Sequence, residues 1–396
     1  MPTAATQVSD GPYRRGLRCF RAHAALTFAF AWVPVMYTAF TVDRGFSAAQ
    51  YLQLWSAYYL AMVSAELPWG WVADRWGQRR LLVLGPLWLG ACFVVLGETT
   101  DFRACWLLMA ATGAGHAMIS GADSAYLYEL VSGAGRVGEA LHEETVAHRW
   151  RLFGVSVLDV LGGFVAYAAG TRWAFHLGAV AMLGAALAAA RLPPTGRSAG
   201  ALGQPSLRGL LHSLSRPGVG RALLWYVAVF VLLRVGFQLY QPTLLARGAS
   251  DLRLHGLLFG LLNLAAGLAA FGVLAVHRRL GDRGTAVLVL LLVAASFLGL
   301  GLAGPALLLP LFCLQQVGFG FLQPVGRTTL NRLIPGEQRA SVLSAQSLVA
   351  RLAFGALLAT GLWDAALGSA LDQTYLLLAA VAAALAIAFR LLPIRA

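Results

Sequence analysis

Asp74, Arg75, Arg79 and Arg80 crowd one short run, Gly70-Trp71-Val72-Ala73-Asp74-Arg75-Trp76-Gly77-Gln78-Arg79-Arg80, between two long apolar stretches. One carboxylate among three guanidiniums can lock and unlock a hinge by exchanging ion pairs. It can also settle on a helix N-terminus, which carries partial positive charge and unpaired N–H groups. Four further charges, Asp123, Asp159, Arg234 and Arg351, fall inside apolar stretches. On insertion scales a central Asp or Arg costs roughly 2.5–3.5 kcal/mol, so each needs a partner or water. Asp123 and Asp159 are carboxylates able to take up and release a proton in a buried setting. Asp159 is equally suited to a structural pair with an arginine or with Asn263. His116 is of a type that titrates near neutral pH, but it is read here as a hydrogen-bonded packing residue.

The elements that position these groups follow from composition. Hydrophobic residues make up 59% of the chain, charged residues 12%, and the mean hydropathy is +0.69. Soluble domains carry about 25% charged residues. The 396 residues hold room for a dozen spans of the roughly 20 residues that cross a bilayer. The net charge of +13 does not point to nucleic acid, because the cations sit in loops between apolar runs. All 30 basic residues are arginine, the pattern a GC-rich coding bias produces. Cys19, Cys92, Cys105 and Cys313 are scattered in or beside apolar runs, with neither metal-site nor disulfide spacing. No P-loop, H-E-x-x-H or paired-cysteine motif is present. No cofactor or metal is expected, and any driving energy must come from a gradient.

Twelve membrane helices are expected, at 20–40, 47–71, 81–97, 104–130, 145–169, 172–190, 221–246, 254–276, 285–303, 305–327, 339–361 and 372–392. The basic N-terminus before the first of them superficially resembles a signal peptide; the many equivalent spans that follow favour a first membrane helix. With a cytoplasmic N-terminus, 23 of the 30 arginines fall on the cytoplasmic side and Arg44, Arg103, Arg172, Arg247 and Arg253 on the other. The positive-inside rule selects that orientation, and cytoplasmic termini require an even number of spans. The Pro-, Gly- and Ser-bearing segment 191–220 divides the chain into a bundle at 1–190 and another at 221–396. Within it, Leu207–Ser215 is long enough for a short surface helix, though a plain linker is preferred. His277-Arg278-Arg279-Leu280-Gly281-Asp282-Arg283 is a degenerate echo of the Gly77 hinge. It suggests an internal repeat of six-helix halves.

The Gly70–Arg80 run resembles motif A of the major facilitator superfamily, G-x-x-x-D-R-x-G-R-[RK], between the second and third membrane helices. Glu66-Leu67-Pro68-Trp69-Gly70 looks like the E-x-P-x-G lead-in of bacterial drug-efflux-like members. Ser120-Gly121-Ala122-Asp123-Ser124-Ala125-Tyr126-Leu127-Tyr128-Glu129 resembles a fourth-helix pattern of the same subset, and Ile334–Ser341 the loop before the eleventh helix. The fourth helix lacks R-x-x-Q-G. The fifth reads Leu158-Asp159-Val160-Leu161-Gly162-Gly163 where antiporters have G-P-x-x-G-G, keeping only the double glycine.

The resemblance implies an all-α integral membrane fold of twelve helices in two six-helix bundles. It implies alternating access, with helices 1, 4, 7 and 10 lining a cavity. The counterpart of Asp74 caps the eleventh helix in the outward-facing state, so the turn Glu337–Ser341 is its expected partner. Gating residues are then Glu66, Asp74, Arg75, Gly77, Arg79, Arg80, Glu129 and Arg136, the last two sharing an E-x6-R spacing with sugar porters. Asp123 and Asp159 are the proton-coupling candidates. Trp32, Tyr37, Asp123, Tyr126, Arg234, Gln238, Gln241 and Gln315 are the substrate candidates, a mixture suited to a polar or amphiphilic organic molecule. The expected protein is a monomeric exporter of a small organic molecule against protons, in a bacterial inner membrane, with lipid and no nucleic acid as partner. Two alternatives stay open: import or facilitated diffusion of a nutrient, and a non-transporting polytopic sensor or membrane enzyme.

Overall fold

The computed structural model describes residues 10–195, 218–302, 304–334, 339–360, 363–367 and 370–391. The Leu207–Ser215 stretch lies outside them, as does most of the expected linker. The helices are α1 (Asp10–Thr27), α2 (Ala48–Trp76), α3 (Gln78–Glu98), α4 (Phe102–Ile119), α5 (Ala122–Gly133), α6 (Ala140–Ala169), α7 (Thr171–Ala190), α8 (Val219–Ala246), α9 (Leu252–Leu302), α10 (Leu308–Leu333), α11 (Arg339–Leu358), α12 (Trp363–Leu367) and α13 (Leu371–Leu391). No strand occurs among the described residues. An apolar chain without water to solvate its backbone must satisfy every N–H and C=O internally, and helices do so within one segment. Among the described residues, seven helical segments are long and apolar enough to cross a membrane.

Four expected spans take a different form. The first is not one helix: α1 ends at Thr27, and a 3-10 turn at Val33–Val35 and a π-helical turn at Thr38–Val42 follow. Pro34 is the physical reason, since its ring and missing N–H oppose an α-helix running through it; it sits at the start of the 3-10 turn, where both are tolerated. The fourth span breaks between α4 and α5 at Gly121, whose φ is 95°. The eighth and ninth are continuous as α9, whose 51 residues would extend about 75 Å if straight. They are not straight: Gly281 has φ 67° and ψ −176°, which separates two membrane-length rods at the turn read as the hinge's echo.

The chain forms two compact units. The first comprises Met1–Phe46, Gln53–Ala201 and Asp251–Gly260. There α3 packs along α7, and α1 lies against α6 and α7. The double glycine of α6 has a packing use: a side chain at Gly162 would collide with the Ala31 carbonyl, and one at Gly163 with the backbone at Leu252 and Gly256. Small residues at such crossings let helix backbones approach closely. A ring cluster of Phe30, Trp32, Phe93 and Phe175 fills the space beside α7, with Trp32 stacked 5.2 Å from Phe175.

The second unit comprises Ser47–Leu52, Leu202–Ser250 and Leu261–Ala396. Its centre is α8, packed against α10 and α11. Val219, Ala222, Leu330, Ile334 and Val342 form an apolar cluster at one end. Buried polar groups on α8 find partners within the unit: the Tyr240 hydroxyl donates to Gln315 Oε1 at 2.7 Å, and Thr243 bonds the Tyr375 hydroxyl at 2.6 Å.

Candidate functional site

The Gly77 hinge joins α2 to α3 with a backbone that only glycine adopts readily. Its φ is 86° and ψ 144°, in the region that residues with a Cβ avoid. Its N–H donates to Ala73 O at 2.8 Å, closing α2, and its carbonyl accepts from Arg80 N at 3.3 Å as α3 begins. Asp74, Arg75 and Arg80 are exposed around this turn, and the Arg75 guanidinium stacks 3.8 Å over the Trp71 ring. The turn Glu337–Ser341, expected to receive Asp74, begins outside the described residues.

The other expected gating residues divide between two clusters in the first unit. Arg79 donates to Ala190 O at 2.6 Å, at the end of α7. Tyr126, on α5, donates to Pro193 O at 2.7 Å, and Thr195 donates to Glu129 Oε2 at 2.6 Å. Arg79, Tyr126 and Glu129 therefore meet on the segment leaving α7. Tyr126 belongs to this anchor, an arrangement that its place among cavity-lining candidates did not anticipate. Arg136 instead approaches Glu139 at 3.7 Å and lies 5.0 Å from the Tyr13 ring centre. Tyr13 donates to Glu139 at 3.2 Å, and burial, then the Glu139 charge, raise its phenol above the usual range. Glu66 is half-buried on α2.

Both carboxylate oxygens of Asp123 are engaged. The break at Gly121 turns its side chain back onto the start of α5, where Oδ1 accepts from Ser124 N at 2.7 Å and from Gly121 N at 3.3 Å. Its other oxygen takes Arg151 Nη2 at 2.7 Å. Arg151 lies over the Phe28 ring at 4.3 Å, and Phe28 in turn packs 4.7 Å from His116. His116 Nδ1 is hydrogen-bonded to the Tyr58 hydroxyl. Asp159 is only 2% exposed within α6. Among the aromatic candidates, Trp32 is fully buried in its ring cluster, with an indole N–H that has no hydrogen-bond partner among the described residues. Tyr37 is half-buried beside the π-helical turn.

The second unit holds the remaining candidates. Arg234 stands near the middle of α8, within 6 Å of three rings: Phe319 at 5.0 Å, Phe230 at 5.6 Å and Phe237 at 5.9 Å. Gln238, one turn on, accepts from the Tyr51 hydroxyl at 2.9 Å. Gln241 is buried on the same helix. Gln315 accepts from Tyr240 and lies 3.4 Å from the Ser296 hydroxyl.

Sequence reasoning did not single out Arg151, Arg21 or Gln346. Arg151 was counted only toward topology. Arg21 pairs with Glu143 at 2.6 Å, joining α1 to α6, and the basic N-terminal arm facing an acidic stretch at 139–144 was the available signal. Among the described residues, no group of three or more His, Cys, Asp or Glu side chains could hold a metal.

A family model described as Major Facilitator Superfamily matches residues 20–360. No curated protein matches the chain. Solved structures similar to it include a variant of the nucleoside transporter NupG, with TM-score 0.82 and 15% identity over 94% of this chain and 98% of that one. A bacterial homologue of the human lysosomal transporter Spinster, inward-facing and unoccupied, matches with TM-score 0.75 and 14% identity over 98% of both chains. A POT family transporter in complex with a thioalcohol-conjugated peptide matches with TM-score 0.75 and 13% identity, over 96% of this chain and 95% of that one. At these identities the likeness is one of fold.

Proposed function

The chain belongs to the major facilitator superfamily, and from that membership we propose a secondary active transporter that works by alternating access and exports a small organic molecule in exchange for protons. The observation that carries the reading is the glycine-only turn at Gly77, with Asp74, Arg75, Arg79 and Arg80 around it, inside the matched region. A hinge of this build has no evident use in a rigid scaffold. The proposal includes twelve spans in two six-helix halves, 1–190 and 221–396, joined at 191–220. Both termini are cytoplasmic in a bacterial inner membrane, as the arginine asymmetry supports.

Asp74, Arg75, Gly77, Arg79 and Arg80 act as gate residues, together with Glu66, Glu129 and Arg136. Glu129 and Arg79 act through the segment leaving α7, which both already grip. Asp123 and Asp159 are the proton carriers of the proposal. For Asp123 the chemistry is an exchange: a proton on the carboxylate competes with Arg151 for the same oxygen.

The test is flux in vesicles loaded with a pH dye and challenged with substrates found by a thermal-shift screen. Proton movement should accompany substrate movement, and an Asp123→Asn, Asp159→Asn double variant should uncouple the two. Undiminished transport by that variant, in the absence of any proton gradient, removes the exchange mechanism. Asp74→Asn should slow transport while leaving affinity within a few-fold; a loss confined to binding removes its gating role.

A further inference from the structure

Arg234 has cationic chemistry that no described residue of its own unit neutralises. The carboxylates of residues 221–396 are Asp251, Asp282, Glu337, Asp364 and Asp372, all at expected loops or span ends. Asp282 is bound to Arg332 at 2.8 Å and lies 3.2 Å from His277; Asp372 is bound to Arg247 at 2.6 Å. Asp251, assigned to the first unit, is bound to Arg253. Among the described residues Arg234 has no acidic or hydrogen-bonding partner, and its Nε is buried without one. Its contacts are the faces of Phe230, Phe237 and Phe319.

Those rings hold the guanidinium in place without satisfying it. Cation–π attraction weakens toward 6 Å and provides no acceptor for five N–H donors. An arginine cannot shed its proton to relieve the mismatch. A second orphan donor lies on the neighbouring helix: Gln346, on α11, is 3% exposed and its buried Nε2 has no hydrogen-bond partner. It faces Gly326 beside the Tyr226 ring. Arg234, Arg327 and Arg351 all lie close enough to the Tyr226 hydroxyl to interact with it electrostatically. Three cations thus act on the Tyr226 end of α8, where the spare amide donor of Gln346 also lies.

Resting on the transporter reading above, we infer that the transported molecule is an organic anion, its carboxylate, phosphate or phosphonate group received by Arg234 and its apolar or aromatic body by the surrounding phenylalanines. Arginine suits this role because its planar fork matches two oxygens of such a group at once. Gln346 adds a neutral donor. Arg327 and Arg351 supply long-range attraction without having to touch the ligand.

The experiment uses the full-length protein in phosphatidylcholine nanodiscs and matched probes: benzoate against benzamide, and phenyl phosphate against benzyl alcohol. Binding is read by tryptophan fluorescence and thermal shift. At least one anion should bind, and at least tenfold tighter than its neutral partner. Arg234→Gln should weaken anion binding tenfold or more, Arg234→Lys should restore part of it, and Arg172→Gln, exposed at the start of α7 in the first unit, should change nothing. Should Arg234→Gln fail to fold, Gln346→Leu is the substitute, with a loss of threefold or more. Equal binding of neutral and anionic partners, no binding by either anion, or full anion affinity in the Arg234 or Gln346 variant overturns the inference. Loss of probe binding on replacing phosphatidylcholine with phosphatidylglycerol assigns the site to a lipid headgroup and also overturns it. Flux separates the two readings: an anion that binds through Arg234 but never crosses vesicles defeats the transporter reading alone. Flux of a neutral probe that Arg234→Gln leaves intact defeats the anion inference alone.

Discussion

Two half-buried arginines packed against aromatic rings, Arg151 in the first unit and Arg234 in the second, are handled in opposite ways. Arg151 reaches a carboxylate at 2.7 Å, and that carboxylate is itself fixed by two backbone N–H groups at the start of α5. Arg234 is flanked by three rings and, among the described residues, has no acid beside it. The first arrangement is complete within the protein; the second is incomplete until something negative arrives. A charge that satisfies itself holds structure, whereas one left unsatisfied stores an interaction for a ligand. In the proposed cycle the proton then belongs to Asp123 or Asp159 in one unit and the anionic group to Arg234 in the other.

The sharpest way to break the comparison is to remove Arg151. Arg151→Ala leaves Asp123, whose side chain is only 10% exposed, without its cation. Breaking a buried pair from one side costs about 3–5 kcal/mol, and the lower end applies because Arg151 keeps 29% of its side-chain surface exposed. The expected loss of about 3 kcal/mol should appear as a clear fall in the melting temperature of the purified protein. Adding Asp123→Asn should recover much of it, since the stranded charge is then gone. A single variant as stable as the parent means the pair is not a structural unit, and the contrast with Arg234 fails.

How much of this was legible in the sequence depends on the range of the interaction. Apolar runs of about 20 residues declare a helical membrane fold because length and composition alone decide it. The two hinges were also legible: Gly77 and Gly281 sit in matching contexts, and both adopt positive φ. Phe230 and Phe237 lie four residues before and three after Arg234, so their shared face follows from helical spacing. Phe319 and Gln346 come from other helices, and no local period reveals them. The Asp123–Arg151 pair was hidden for the same reason, and because the helix break that aims Asp123 was read through. Gly121 beside Ser120 was the available breaker signal, outweighed there by the apolar run around it. The Tyr126 hydrogen bond was not legible because the path of the chain after α7, which supplies its Pro193 acceptor, is a tertiary matter.

The two glycine turns sharpen the comparison between the units. Gly77 and Gly281 have φ of 86° and 67°, with ψ of 144° and −176°. A Cβ at either would meet no atom within 4 Å, so the strain of an alanine there is purely conformational. Such backbone regions cost about 1–3 kcal/mol for a residue with a side chain. Gly77→Ala and Gly281→Ala should therefore destabilise the protein by similar amounts, read as similar falls in melting temperature. Their effects on function should differ. Only the Gly77 turn carries an adjoining Asp74, so its alanine variant should slow flux more than the Gly281 variant at equal stability. Equal slowing by both would move the gate from the first hinge to the pair.

The smallest expected effect on stability is the one that separates a stored charge from a structural one. Without ligand, Arg234→Gln removes a cation near the middle of a 28-residue membrane helix and sacrifices only three distant ring contacts. Cation–π contacts contribute about 0.5–2 kcal/mol according to their solvation, and a central arginine costs roughly 2.5–3.5 kcal/mol on insertion scales. These terms nearly cancel, with the balance favouring the variant. The melting temperature of the ligand-free protein should therefore stay within a few degrees of the parent or rise. A fall as large as that of Arg151→Ala would mean that Arg234 is already paired in the native protein. It would then be structural like Arg151, and the difference between the units would disappear.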